Sequence, residues 1–202
     1  MLERGFFQRP APSLAPALLG KKLVRLQDGA RLSGIILETE AYQGGDDLAC
    51  HAHVGKTART QVMFGPAGHA YVYFTYGMHW LLNIVSDVPE TPSAVLIRAI
   101  FPLEGLEQMA ANRPNLANTP AWLNGPAKLT RAMAIDGLFN RCDLCQPKST
   151  IFLEDGIAFP DALIRTSPRI GLGKTPEPWL SIPWRWRVSW QDAQKLINKT
   201  GR

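Results

Sequence analysis

An Asp28-Gly29 pair stands between two β-prone runs, residues 23–26 and 32–42. Such a pair accepts the positive φ angles of a tight hairpin turn, so the runs are expected to fold back on each other as antiparallel strands. Further strand-like runs, rich in β-branched and aromatic residues, fall at 70–75, 81–85, 94–100, 150–153 and 185–190. Helical readings are fewer: 14–19 stopped by Gly20, 104–112, and 126–135 with Pro126 near its first turn. Strands and helices do not alternate as βαβ units, so an α+β fold is expected over a doubly wound sheet. Residues 44–69 are rich in Gly, His and Thr and form a long irregular connection, a kind that in compact domains usually carries function.

The 202 residues suit one domain, 1–202, with segments 1–12 and 191–202 expected at its periphery. A chain with 46% hydrophobic and 19% charged residues can bury a core without staples and is not disordered. Three cysteines are too few and too odd in number for a disulfide framework, which points to a reducing compartment. That means the cytoplasm of a bacterium or the nucleus of a eukaryote. The apolar stretch 15–19 is short and broken by Pro16, so no signal peptide is expected. No apolar run approaches the ~18 residues of a membrane span, and no membrane partner is expected.

The net charge is +5, and its distribution is uneven. Residues 1–31 hold 6 basic and 2 acidic side chains, residues 165–202 hold 8 and 2, and residues 32–112 hold 3 and 8. Folding could gather the basic ends into one positive face around an acidic centre, as a polyanion-binding enzyme requires; an ordinary solvated surface is the alternative.

Glu38, Glu40 and Tyr42 share one face of an extended strand, spaced about 7 Å apart. A carboxylate beside the apolar run 35–37 gains basicity, as a general base needs, although solubilising glutamates on a strand edge would look the same. Tyr71 and Tyr73 share a strand face with Thr75, and Tyr76-Gly77 marks a turn whose tip can project as a wedge into a base stack; core aromatics are the plainer reading. Cys50, His51, His53 and His69, with Cys142 and Cys145, lack a recognised zinc spacing, so neither a metal nor any other cofactor is expected. Gly171-Leu172-Gly173-Lys174-Thr175 ends like a phosphate loop, but Pro168 stands where the first glycine belongs, which rejects nucleotide hydrolysis. A glycine turn flanked by Arg169 and Lys174 could still contact DNA phosphates. Trp184, Trp186 and Trp190 alternate with Arg185 and Arg187, suggesting a core face backed by a solvent or phosphate face.

In order and spacing, several segments resemble the alkyladenine (3-methyladenine) DNA glycosylase family: Glu38-Thr39-Glu40-Ala41-Tyr42, Asp47 to His51, Tyr71-Val72-Tyr73 through Tyr76-Gly77-Met78, Asn83-Ile84, Leu96-Ile97-Arg98-Ala99, Gly125-Pro126-Ala127-Lys128-Leu129 and Gly171-Leu172-Gly173. The resemblance runs from about Gly20 to Trp190 and implies a monofunctional enzyme that flips an alkylated purine out of duplex DNA and hydrolyses its bond to the sugar. On that likeness Glu40 is the general base and Arg98 its partner in holding water. Tyr42, Tyr73 and His51 line the base pocket, Asn83 rejects the 2-amino group of guanine, and Tyr76 fills the gap left by the flipped nucleotide. Arg59, Met78, Lys128, Arg169 and Lys174 are the expected DNA contacts. The partner is double-stranded DNA carrying damaged purines, bound by a monomer. The expected architecture is a single compact α+β domain, with a curved, mostly antiparallel sheet, packed helices and a protruding tyrosine-bearing hairpin. Two rivals remain: a glycosylase-lyase using Lys128 as a Schiff base, and a non-catalytic DNA-binding module that has no need of Glu40.

Overall fold

A computed structural model of the chain describes residues 1–114 and 122–200. The hairpin at Asp28-Gly29 is present: both residues have positive φ, and strand β1 (Lys22–Gln27) pairs antiparallel with β2 (Ala30–Gln43). β2 is 14 residues long and organises everything else. One of its edges pairs with β5 (Ser93–Glu104) along most of its length. Its other edge is divided: β1 takes the first half, and the short strand β8 (Arg185–Arg187) takes Glu38 to Glu40. Two ribbons therefore leave β2 on the same side, and the sheet curls. Beyond β5 lie β4 (His79–Val85) and β3 (Ala70–Thr75), beyond β1 lies β6 (Ile151–Glu154), and β7 (Arg165–Ser167) pairs with β8. All of these pairings are antiparallel.

Alternation along β2 separates core from site. Thr39 and Ala41 are buried on one face, where the Thr39 hydroxyl donates to the Ala15 carbonyl of helix α2 (Ala11–Leu18) at 2.8 Å. Leu14 and Leu18 of α2 and Leu129 and Ala132 of α4 (Pro126–Ala132) belong to the same large apolar cluster. Burial of such side chains contributes roughly 1.5–3 kcal/mol each against exposure. The opposite face carries Glu38, Glu40 and Tyr42. Over it lies the long connection after β2, which contains two 3₁₀ turns (His51–Val54 and Gln61–Phe64) and packs a smaller cluster of Cys50, Val62 and Met63 against Tyr71 and Val85.

Three local expectations change. The run 185–190 is not one strand: β8 stops at Arg187, and helix α5 (Trp190–Thr200) begins within three residues. Ser189 sets that start, its hydroxyl accepting from the Asp192 amide at 3.1 Å and donating to the Asp192 carboxylate at 2.6 Å, a reciprocal cap. The short helices at 104–112 and 126–135 occupy Leu106–Asn112 (α3) and Pro126–Ala132. The end segments are also more embedded than expected. Leu2 and Phe7, the latter at the end of the one-turn helix α1 (Arg4–Phe7), reach the main cluster, as do Ala193 and Ile197, one helical turn apart on α5. Residues 201–202, the end of the segment expected at the periphery, lie outside the described residues.

Candidate active site

The site is a cross-strand row. The register pairs Tyr71 with Asn83, Asn83 with Leu96, Leu96 with Glu40, and Glu40 with Arg185, so five strands place these side chains in line on one face. Arg98, two residues along β5 from Leu96, reaches the same face. Pairing is irregular here, and neither Leu37 nor Arg98 has a register partner. Above the row opens a cavity of about 640 Å³, within the range that holds a small ligand. Tyr42, His51, Tyr71, Tyr73, Asn83 and Arg98 line it, and Leu172 and Thr175 close one side.

Glu40 sits beneath the cavity wall, its side chain 0% exposed. One carboxylate oxygen accepts from the Tyr42 hydroxyl at 2.9 Å and from Arg98 Nη1 at 3.2 Å. The other accepts from the Ile170 amide at 2.8 Å. Burial raises its pKa, and the opposing pull of Arg98, the Ile170 amide and Tyr42 does not fully offset this. The group is a carboxylate of enhanced basicity with three donors fixing its orientation. Arg98 Nε in turn donates to Glu38 at 2.6 Å, and Arg185 Nε donates to the same Glu38 oxygen at 2.7 Å. Burial also opposes ionisation of Glu38, yet its two arginines win and hold its pKa below the usual range. For Arg98, burial is outweighed by Glu40 and Glu38, and its pKa rises. The sequence Glu40–Arg98–Glu38–Arg185 is therefore an alternating charge ladder.

The ring side chains of the cavity are uncharged, with one cation, Arg59, set against them. His51 Nε2 faces Arg59 Nη2 at 3.3 Å, and since guanidinium only donates, Nε2 accepts. Nδ1 therefore carries the proton and donates to the Tyr71 hydroxyl at 3.0 Å. Burial, then Arg59 and His53, depress the His51 pKa to about 4, so the imidazole is uncharged at neutral pH. Tyr73 meets the His51 ring edge-on with centroids 4.6 Å apart, and the Arg59 guanidinium lies 4.8 Å above the Tyr73 ring. Burial raises the Tyr42 and Tyr73 pKa values, keeping both phenols protonated. Asn83 is buried, its amide donating to the Tyr71 carbonyl at 3.1 Å.

Beside the cavity the β3–β4 turn projects outward. Tyr76 is 80% exposed and Met78 68%. Tyr76 has φ +50° and Gly77 φ +66°. Glycine adopts that region freely, but a tyrosine there is held at a cost of roughly 1–2 kcal/mol.

The remaining expected residues divide. Arg59 lines the cavity over Tyr73, and Lys174 is exposed on the glycine turn whose neighbours Leu172 and Thr175 line it. Lys128 is not among the lining residues; its ammonium donates to Asn124 at 2.8 Å. Arg169 corrects the expectation of a phosphate contact. It is buried, forks onto both Asp47 oxygens at 2.6 and 2.9 Å, donates to the Ala41 and Trp179 carbonyls, and packs over Tyr42 and Trp184. With both terminal nitrogens occupied inside the protein, it braces the wall and cannot reach DNA. Four participants carried too little sequence signal: the Ile170 amide, the Tyr71 hydroxyl, the Glu38–Arg185 pair and Asp47. Backbone amides have no sequence signature, and the others act through partners 20 to 147 positions away. Among the described residues, no group of three or more His, Cys, Asp or Glu converges as a metal site would, and no helix is long and apolar enough to cross a membrane.

A buried, basic carboxylate beneath an aromatic-lined cavity, with an exposed tyrosine beside it, defines a hydrolytic site for a flat, ring-bearing group. The family model for methylpurine-DNA glycosylase matches residues 5–192. A relative from Burkholderia lata is 44% identical over 93% of this chain and 87% of its own length. Relatives from Chlorobaculum parvum and Methanocella arvoryzae are each 45% identical, over 89% and 92% of this chain and 83% and 90% of their own lengths. All three are provisionally named 3-methyladenine DNA glycosylases. The chain belongs to the methylpurine-DNA glycosylase family and is a hydrolytic DNA glycosylase.

Proposed function

We propose that this enzyme is a monofunctional glycosylase that flips 3-methyladenine and related alkylated purines out of duplex DNA and releases them by direct attack of water. The observation that carries the reading is Glu40, buried and basic, directed by Tyr42, Arg98 and the Ile170 amide beside an aromatic cavity. Extrusion is needed because the glycosidic bond of a stacked base is out of reach of side chains. Tyr76 fills the vacated stack, its strained backbone fixing it in the projecting position.

Alkylation at N3 or N7 makes the purine cationic. Between Tyr42 and Tyr73 a cation gains about 0.5–2 kcal/mol over a neutral base, and the uncharged His51 adds nothing to the repulsion from Arg59. The bond from C1′ to the purine nitrogen breaks with its electron pair leaving on the base, which departs neutral. The sugar becomes oxocarbenium-like, as in glycoside hydrolysis. Water held between Glu40 and Arg98 adds to C1′ and passes its proton to the carboxylate. Asn83, fixed by its bond to the Tyr71 carbonyl, opposes the 2-amino group of guanine.

No lysine lines the cavity among the described residues, which disfavours the Schiff-base alternative. The test is single-turnover release of free base from duplexes carrying one modified purine, with wild type and Glu40→Gln. Wild type releases base; the variant binds the same duplex and releases at least a hundredfold less. Equal release by both would overturn the role of Glu40. Borohydride trapping of a covalent complex would overturn the monofunctional reading.

A further inference from the structure

We propose a second DNA contact, a phosphate-binding cleft built by Arg165 and Arg187, adjoining the base cavity. It rests on the reading that duplex DNA docks over that cavity. A separate cavity of about 720 Å³ is lined by Arg165, Arg185, Arg187, Glu38, Asn124 and the first turn of α5. The register explains its composition. Glu38 pairs with Arg187, and Arg187 with Arg165, so a second cross-strand row runs parallel to the one bearing Glu40 and on the same sheet face.

The two cavities share their partition. Arg98 lines the first and bonds Glu38, which lines the second. Pro126 lines the first and Asn124 the second, so the turn between them is a common rim. On this proposal, the backbone flanking the nucleotide in the base cavity crosses this rim.

The cleft's charge suits that backbone. Arg185 is committed to Glu38 and Ser167. Arg165 is exposed, and Nη1 donates to the Ala162 carbonyl at 2.6 Å, which steadies the guanidinium; among the described residues Nε and Nη2 have no protein hydrogen-bond partner. Arg187 is exposed and, among the described residues, has no carboxylate in salt-bridge range. The two acidic groups present are already engaged, Glu38 by two arginines and Asp192 by Ser189. Exposed guanidinium groups in a shallow cleft fit the fork geometry of phosphate oxygens.

The experiment measures binding of a lesion-bearing duplex across a salt series for wild type, the double variant Arg165→Ala/Arg187→Ala, and Arg165→Lys/Arg187→Lys. Two lost phosphate contacts should flatten the slope of log K against log salt by about 1.8, while the lysine variant, which keeps the charge, should retain most of it. Duplexes with a neutral methylphosphonate at single positions flanking the lesion then locate the contact. Wild type should lose affinity at one or two positions where the alanine variant is already insensitive. An unchanged slope in the alanine variant, or equal sensitivity of both proteins at every position, overturns the cleft. Failure of wild type to release any base would instead overturn the enzymatic reading and leave the salt slope as an independent measurement.

Discussion

Tyr42→Phe isolates one of the three bonds that hold the Glu40 carboxylate. The ring stays, so the cavity wall and its stacking surface are kept, and only the 2.9 Å bond to Glu40 is lost. A hydrogen bond to a charged group contributes roughly 1.5–3 kcal/mol. That stabilisation belongs to the ionised form alone, so its loss favours protonation of Glu40. The sign is fixed: burial already raises the Glu40 pKa, the Tyr42 bond opposes the rise, and its removal lets the pKa climb further. On the proposed mechanism base release needs the ionised carboxylate, so the acid limb of the pH–rate profile should move to higher pH. At a pH well below the limb, the rate should fall by roughly 10- to 150-fold, the equivalent of that free energy. On the high-pH plateau it should stay close to wild type. The assay is single-turnover base release under saturating enzyme across the pH range. A limb that does not move would refute the coupling, and an equal loss at every pH would show that Tyr42 acts by positioning within the bound complex and not through the protonation of Glu40.

Glu38→Gln removes the carboxylate that anchors Arg98 and Arg185, so kcat should fall while lesion affinity holds; a change confined to affinity would argue against the charge ladder. Tyr76→Ala should lose lesion affinity and flipping, read by fluorescence of an unstacked reporter base, with an unaltered melting temperature; unchanged excision would remove the wedge from the mechanism. Asp47→Ala leaves Arg169 charged and buried without its partner, a loss of about 3–5 kcal/mol, which calorimetry should record as a fall in Tm of about 6–20 °C at 2–4 °C per kcal/mol. A fall under 2 °C would mean that the pair is not sealed from water.

What could be read from the sequence was whatever lies within one strand or one turn. Alternation alone put Glu38, Glu40 and Tyr42 on a shared face, and Asp28-Gly29 and Tyr76-Gly77 fixed two hairpin ends, because these depend on neighbours at most a few positions away. Arg169 was misjudged for the opposite reason. Set among glycines it resembles a surface phosphate contact, and nothing local reveals that Asp47, 122 positions earlier, waits beside it in the interior. The strand expected over 185–190 failed because the even spacing of Trp184, Trp186 and Trp190 carries a strand-like pattern past Arg187, whereas Ser189 ends the extended run by capping a helix.

The row Tyr71–Asn83–Leu96–Glu40–Arg185 draws one side chain from each of five strands. Two of its pairings, Leu96 with Glu40 and Glu40 with Arg185, are distant in sequence and form slowly, because long loops must close before any contact rewards them. The segment up to β5 holds Glu40, Arg98 and most of the aromatic slot, but lacks the Ile170 amide that orients Glu40 and the Arg185 that holds Glu38. The site's hydrogen-bond network is therefore complete only when the last ribbon of the chain has docked.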